Sequence, residues 1–186
     1  MLSDTQILDE IAAGSVGISP FNRENLRPSS YTLTLSSKIL VPAYASGPVD
    51  LRDQSTYPSF SQESLGDEGF VLEPGAFVLA GSNEKISLSR SISATLRNLT
   101  GLSRLGISTE IASLVSPGFG ERSAKNITLE LKNFSPFAVR IFSGMRACHM
   151  IFFKMSKEAQ LGYDVDVGVH DSIDAPAVSK FWEYFQ

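Results

Sequence analysis

The stretch SPGFGERSAKNITLELKN, residues 116–133, holds a carboxylate whose surroundings decide its chemistry. Ile127, Leu129 and Leu131 alternate with Thr128, Glu130 and Lys132, which is the period of a half-buried strand. On that period Glu130 shares a face with Thr128 and Lys132, and a solvated glutamate beside a lysine satisfies the pattern. Set in a pocket, the same carboxylate would take a proton from water and return it to a leaving amine, the work of a general acid–base group. A second stretch with chemical content is RNLTGLSRLG, residues 97–106. Gly101 lets a ligand approach the backbone closely, Thr100 and Ser103 bring hydroxyls, and Arg97 and Arg104 can grip phosphate oxygens. A solvated turn has the same composition.

Other chemistries lack their residues. His149, His170 and Cys148 are the only histidines and cysteine in the chain. The H-x-E…P-C-x-x-C pattern of zinc deaminases is absent, so no zinc site is expected. His149 and Cys148 stand together in an apolar run and read as packing residues. Neither histidine lies near a nucleophile elbow, and there is no Walker loop or Rossmann glycine pattern.

The chain has 186 residues, 42% hydrophobic and 19% charged, with a net charge of −4. That is enough chain for one domain with a real core. The acidic balance argues against a general nucleic-acid or membrane-surface binder, while a small anion held by a few placed cations stays compatible with it. No apolar run approaches the roughly 20 residues of a membrane span. The opening MLSDTQILDEIAAG has neither a basic start nor a long apolar stretch, so it does not read as a signal peptide. A single cysteine cannot form an intramolecular disulfide, and a cytoplasmic location is the expectation.

The elements that must position these residues are mostly strands. Before them, Ser3 and Gln6 predict a capping box for a short helix with an Ile7, Leu8, Ile11, Ala12 stripe, stopped by Gly14. Alternation then marks YTLTLSSKILVP from Tyr31, two runs in GFVLEPGAFVLAGS broken by Pro74-Gly75, and EKISLSRSISATL. It returns in FAVRIF (137–142) and MRACHMIFFKM. Many short strands between Gly, Pro, Ser and Asn clusters predict an all-β barrel or sandwich. Residues 41–69 read as a long loop. Residues 157–186 form a polar tail ending in SKFWEYFQ, whose aromatic residues are expected to pack on the body or on a neighbouring subunit.

Several segments, in order from residue 2 to about 155, resemble the dCTP deaminase branch of the dUTPase superfamily. LSDTQILDEIAAGSVGISPFNRENLRPSSYTLTL is similar to its opening, and LEPGAFVLAGSNEKISL to its PG-FVL-GST-E hairpin. TGLSRLGI is similar to SSLARLGL, SPGF to DPGF, NITLEL to ITLEL, and SGMRACHMIFFKM to its PGM-IGQL-F strand. The resemblance implies a distorted β-barrel with a jelly-roll-like sheet and a short N-terminal helix, spanning residues 1–186 as one domain. It implies a homotrimer with active sites between subunits. The implied reaction is metal-free deamination of a pyrimidine nucleoside triphosphate, dCTP to dUTP, with Glu130 as the proton shuttle. Mg²⁺ would bind through the triphosphate and no zinc would be used.

The family's site maps residue by residue. Arg104 matches the arginine that holds phosphate oxygens near the glutamate, and Thr100 a serine that helps place the water. Gly101 and Ser103 match loop positions that meet the triphosphate, within a substrate-binding run that also takes in Leu99 and Leu102. Thr128 and Leu129 match backbone contacts to the base. Tyr163 resembles the tyrosine of a PY pair, and Lys180 the lysine of an SKY tail. Ser116 stands where the family has the aspartate of DPGF, which holds the sugar 3′-hydroxyl and, in dUTPases, activates water. Glu110–Ser113 (EIAS) replaces an H-x-T-A-G loop, Thr32 replaces an aspartate, and Leu99 a basic residue. Gly120–Asn126 is several residues longer than the family turn. Two other readings fit the same resemblance: dUTP hydrolysis, alone or coupled to deamination, and a nucleotide-binding regulator that has lost turnover.

Overall fold

The computed structural model describes residues 1–43, 47–168 and 176–185. The chain opens with helix α1 (Asp4–Ala12). The capping box predicted for it is present: Ser3 Oγ accepts from the Gln6 N–H, and Gln6 Oε1 accepts from the Ser3 N–H at 3.0 Å. Ile7 is its fully buried anchor. Gly14, at φ 75°, ends it in the left-handed region that glycine adopts without a Cβ clash.

Twelve strands follow among the described residues. The first six are β1 (Val16–Ser19), β2 (Leu26–Arg27), β3 (Ser30–Pro42), β4 (Phe60–Ser64), β5 (Phe70–Leu72) and β6 (Phe77–Leu88). Next come β7 (Ile92–Asn98), the short helix α2 (Thr100–Arg104), β8 (Ile107–Ser108) and β9 (Leu114–Val115). The last three are β10 (Lys125–Asn133), β11 (Val139–Ile141) and β12 (Arg146–Lys154). Ten of the strands make one sheet along the path β8-β10-β6-β3-β12-β7-β9, with β1 on β6 and both β2 and β4 on β3, while β5 and β11 pair by themselves. All pairings are antiparallel. Register shifts in β3 between Leu35 and Ile39, and in β12 between Arg146 and Cys148, bend the sheet where its two halves meet. The curl brings β7 and β9 back to face β6 and β10 around a core that includes Tyr31, Leu33, Ile86, Leu129, Met150 and Phe152. This is the mostly β, barrel-like fold that the alternating pattern predicts.

Residues 41–69 are not one loop. β4 lies within them and pairs with β3 from Lys38↔Ser64 to Pro42↔Phe60. Its burial explains why no alternation marks it: only Phe60 is partly covered, and Ser61 to Ser64 are exposed. An edge strand held by backbone hydrogen bonds needs no apolar period. The C-terminal aromatic residues do pack on the body in part, with Trp182 edge-on to Tyr57 at 4.8 Å between ring centroids. No helix is long and apolar enough to cross a membrane among the described residues.

Candidate active site

The curled sheet encloses a cavity of about 460 Å³ between its two halves. β10 supplies Lys125, Asn126, Ile127, Thr128 and Glu130, and the facing wall carries Leu96, Leu114 and Val115. Ser116, Phe119 and Tyr163 close one end, and Ala177, Val178 and Ser179 of the tail pass along it. The tail is fastened there by the Ala177 N–H, which donates to Thr128 Oγ1 at 2.9 Å.

The alternation of β10 comes out as read: Ile127, Leu129 and Leu131 are buried, while Thr128, Glu130 and Lys132 lie on the half-covered face. Glu130 is nonetheless not a solvated partner of Lys132. Lys132 Nζ donates to the Gly75 carbonyl instead. Glu130 lines the cavity, and its Oε2 accepts from the backbone N–H groups of Ile111 at 3.0 Å and Ala112 at 3.1 Å. Two amides on one oxygen leave Oε1 free of the loop and fix the direction of the carboxylate.

The loop that supplies those amides is itself anchored. Asn98 Oδ1 accepts from the Thr109 N–H at 2.7 Å and from its hydroxyl at 3.0 Å, and the same hydroxyl donates to the Ala147 carbonyl. Ser108 Oγ donates to the Glu110 carbonyl at 2.6 Å. Beside the loop, burial raises the Glu110 carboxyl above its usual value. Arg97 pulls it back down and Glu130 pushes it further up. Position Glu110–Ser113 is therefore a rigid bracket for Glu130.

The other sequence candidates divide into two groups. Thr128, Ser116 and Tyr163 join Glu130 in the cavity, and Leu129 is fully buried behind it, leaving only its backbone for a ligand. Leu99, Thr100, Gly101, Leu102, Ser103 and Arg104 do not line it. Thr100, Gly101, Ser103 and Arg104 are exposed on α2, while Leu102 packs against the core. Lys180 is half-buried on the tail but outside the cavity. Packing holds as the reading for Cys148, whose thiol is pushed up to about 12 by burial and is inert as a nucleophile. His149 is half-buried, with Nδ1 3.2 Å from Ser30 Oγ and 3.4 Å from Thr32 Oγ1. His170 lies outside the described residues. Among the described residues no cluster of three or more His, Cys, Asp or Glu side chains could hold a metal ion.

The segment Gly120–Asn126, whose last two residues begin β10, contributes a residue that sequence reading missed. Lys125 is buried, with its Nζ 2.6 Å from Asp164 Oδ1, 5.1 Å from the Phe119 ring centroid and 5.6 Å from that of Tyr163. The turn is clasped to the start of the tail. Arg90 donates to both oxygens of Glu121 at 3.1 and 3.0 Å and to the Gln160 carbonyl at 2.6 Å, and it pairs with Asp166 at 3.4 Å. Gly118, at φ 77°, packs so closely on this segment that a Cβ there would come within 2.6 Å of Gly162 Cα. The available signal was a lysine that opens the same strand, β10, on which the candidate glutamate lies.

Comparison with known proteins places these observations in a family. A dCTP deaminase-like family model matches residues 1–155. A protein of Sulfurihydrogenibium sp. (strain YO3AOP1) named dCTP deaminase, dUMP-forming, is 32% identical over 163 residues, 88% of each chain. One of the same name from Acidothermus cellulolyticus is 31% identical over 189 residues, covering 100% of this chain and 97% of its own. The fold is similar to the crystal structure of 2′-deoxycytidine 5′-triphosphate deaminase from Agrobacterium tumefaciens, with a TM-score of 0.62 and 21% identity. That match covers 81% of this chain and 46% of the other.

Proposed function

The chain belongs to the dCTP deaminase-like family, and from that premise we infer that it is an enzyme that removes the cytosine amino group of dCTP, with Glu130 as proton shuttle. The observation that carries this reading is the posture of Glu130. It is the only carboxylate among the described residues lining the cavity, it is aimed by two amides, and one oxygen is left for chemistry. A water between Oε1 and C4 of the base would give up a proton to Glu130 and attack as hydroxide. The same proton then passes to the departing amine, which leaves as ammonia. Leu129 and Thr128 offer backbone groups at the edge of such a base.

α2 serves the triphosphate. Thr100, Gly101, Ser103 and Arg104 are exposed and apart from the cavity of their own chain, so a homotrimer in which a neighbour's α2 completes each site accounts for both facts. Leu105, Ile111, Leu114 and Phe134 are large apolar side chains left exposed around α2 and the loop, and burying them supports that assembly. Mg²⁺ enters through the phosphates, with no protein ligands and no zinc. The tail carries Tyr163 at the cavity and Lys180 beside it, where they would cover the bound nucleotide.

The product of deamination is dUTP. A second reading, in which the triphosphate is also cut to dUMP, is favoured by the names of the relatives. Against it stands Ser116, which offers a hydroxyl where hydrolysis of the phosphate anhydride would draw on a carboxylate-activated water. Incubating the protein with dCTP, dUTP and Mg²⁺ while following ammonia and pyrophosphate separately distinguishes the readings. Ammonia without pyrophosphate is expected. Both products would establish the coupled reaction, pyrophosphate alone would establish a dUTPase, and tight binding without either would establish a regulator.

A further inference from the structure

The two sides of Glu130 differ in what they offer a ligand. On one side stands β6. The register runs Glu130↔Leu79 and Lys132↔Phe77, so Leu79 lies directly across from Glu130 on the same face of the sheet, with Phe77 next along. Both line the cavity, and Phe60 of β4 and Val178 of the tail extend this apolar wall. The backbone of β6 is occupied here, because Leu79 pairs with Glu130 along one edge and with Leu40 along the other. On the other side of Glu130 runs the loop that brackets it through Ile111 and Ala112. There, among the described residues, β8 pairs with β10 only at Lys132 and Asn133. From Thr128 to Leu131 that edge of β10 lies outside any strand ladder, and its backbone donors and acceptors are open to a ligand.

We propose that the preferred substrate is a 5-alkylcytosine deoxynucleotide, 5-methyl-dCTP ahead of dCTP, and that Leu79 sets the preference. The assignment rests on the deaminase reading above, which puts C4 of the base and its amine at Glu130. In cytosine C4 is flanked by N3 and C5, and the sugar is carried by N1 across the ring. N3 and C5 therefore face the two sides of Glu130. N3 is polar, and burying it against a wall without hydrogen-bonding groups is costly. It turns to the open edge of β10, and C5 is left facing Leu79 and Phe77. A methyl group on C5 is then buried among apolar side chains, where a hydrogen buries almost nothing. The reaction itself is unchanged. The oxygen of water bonds to C4 and the C4–N bond breaks. One proton of the water departs with the amine as ammonia, by way of Glu130, and the other ends on N3 of the product. From 5-methyl-dCTP and water the products are dTTP and ammonia.

Initial rates in a mixture of dCTP and 5-methyl-dCTP with Mg²⁺, read by chromatography as uracil against thymine nucleotides, test this. The base identifies the precursor even if the triphosphate is also cut. kcat/KM should be about fourfold to tenfold higher for 5-methyl-dCTP, the effect of burying one methyl group. 5-Hydroxymethyl-dCTP should be a poorer substrate than the methyl compound, because its hydroxyl meets Leu79 and Phe77 without a partner. Leu79→Ser should bring the methyl preference down to about parity. Equal or faster turnover of dCTP by the parent protein would overturn the proposal. So would turnover of the hydroxymethyl compound as fast as the methyl one, or a folded Leu79→Ser protein that keeps the full preference. The parent protein decides the matter even if the variant fails to fold. Ammonia from none of the three nucleotides would refute the deaminase reading and this inference together, whereas ammonia from dCTP with no gain from the methyl group refutes the inference alone.

Discussion

Replacing Glu130 by glutamine separates two jobs that the geometry gives to one side chain. Its Oε2 holds the loop through Ile111 and Ala112, and its charge would carry the catalytic proton. Glutamine keeps an oxygen at the same reach, so both amides retain an acceptor. What the loop loses is charge assistance. Hydrogen bonds to charged groups contribute roughly 1.5–3 kcal/mol and neutral ones about 0.5–1.5 kcal/mol. At a half-covered position the pair together should therefore weaken by about 1 kcal/mol. The proton shuttle, by contrast, is removed outright, and such groups contribute about 10²–10⁴ in rate, equivalent to roughly 3–5 kcal/mol of barrier. Ammonia release in a single turnover should fall by that factor, while dCTP affinity changes little. Hydrogen exchange at the Ile111 and Ala112 amides should accelerate only modestly. Glu130→Ala should lose the rate and the amide protection together. If Glu130→Gln turns over dCTP at the parental rate with the loop intact, Glu130 is a bracket and not a base, and the proposed mechanism fails.

Three further outcomes follow from the packing. Lys125→Met strands Asp164 as a buried lone charge and should cost about 3–5 kcal/mol in urea denaturation, with Asp164→Asn added to it restoring a large part; no loss would mean that the pair is open to water. Gly118→Ala puts a Cβ into Gly162 at a positive φ, and should lower stability by roughly 1–3 kcal/mol while exposing the segment around residue 160 to limited proteolysis. Burial, with Arg27 nearby, lowers the pKa of His149 below its usual 6.5, so the folded state binds this proton less readily than the unfolded one. Stability should therefore be fully present above pH 6.5 and decline as pH falls below it, and His149→Gln should flatten that decline in a comparison of melting temperatures across pH.

Much of this architecture was legible because a buried face imposes a period. β7 and β10 each bury one face and their alternation survives in the sequence, while β3 over Ser30–Leu33 and β6 over Val78–Ser82 are buried on both faces. Ser3 and Gln6 are a local pattern, and they cap α1 as read. β4 was not legible, because its hydrogen bonds to β3 are made by backbone and four of its five side chains face solvent. Within the site, the strand of Glu130 could be read but its bracket could not, since Ile111 and Ala112 contribute only amide protons. Lys125 escaped for a different reason. Its partners Asp164, Phe119 and Tyr163 are brought to it by the fold, and a lysine at the start of a strand carries no local mark of burial. The separation of α2 from the cavity of its own chain is likewise a property of three-dimensional placement.

β3 lies at the junction of the two halves of the sheet, and this has a consequence for biosynthesis. Its neighbour β12 pairs with it through Thr34 and Arg146, so about a hundred residues separate the partners. At synthesis rates of about 5–20 residues per second, β3 leaves the ribosome roughly 5–20 s before that neighbour exists. Until then that edge of a strand carrying Tyr31, Leu33 and Leu35 lacks its partner, because the two-residue β2 pairs along the opposite edge. Such an edge is a template for pairing with another nascent chain. Slowing translation between codons 42 and 146 should therefore lower the soluble yield, and a holdase that binds extended apolar segments should restore it.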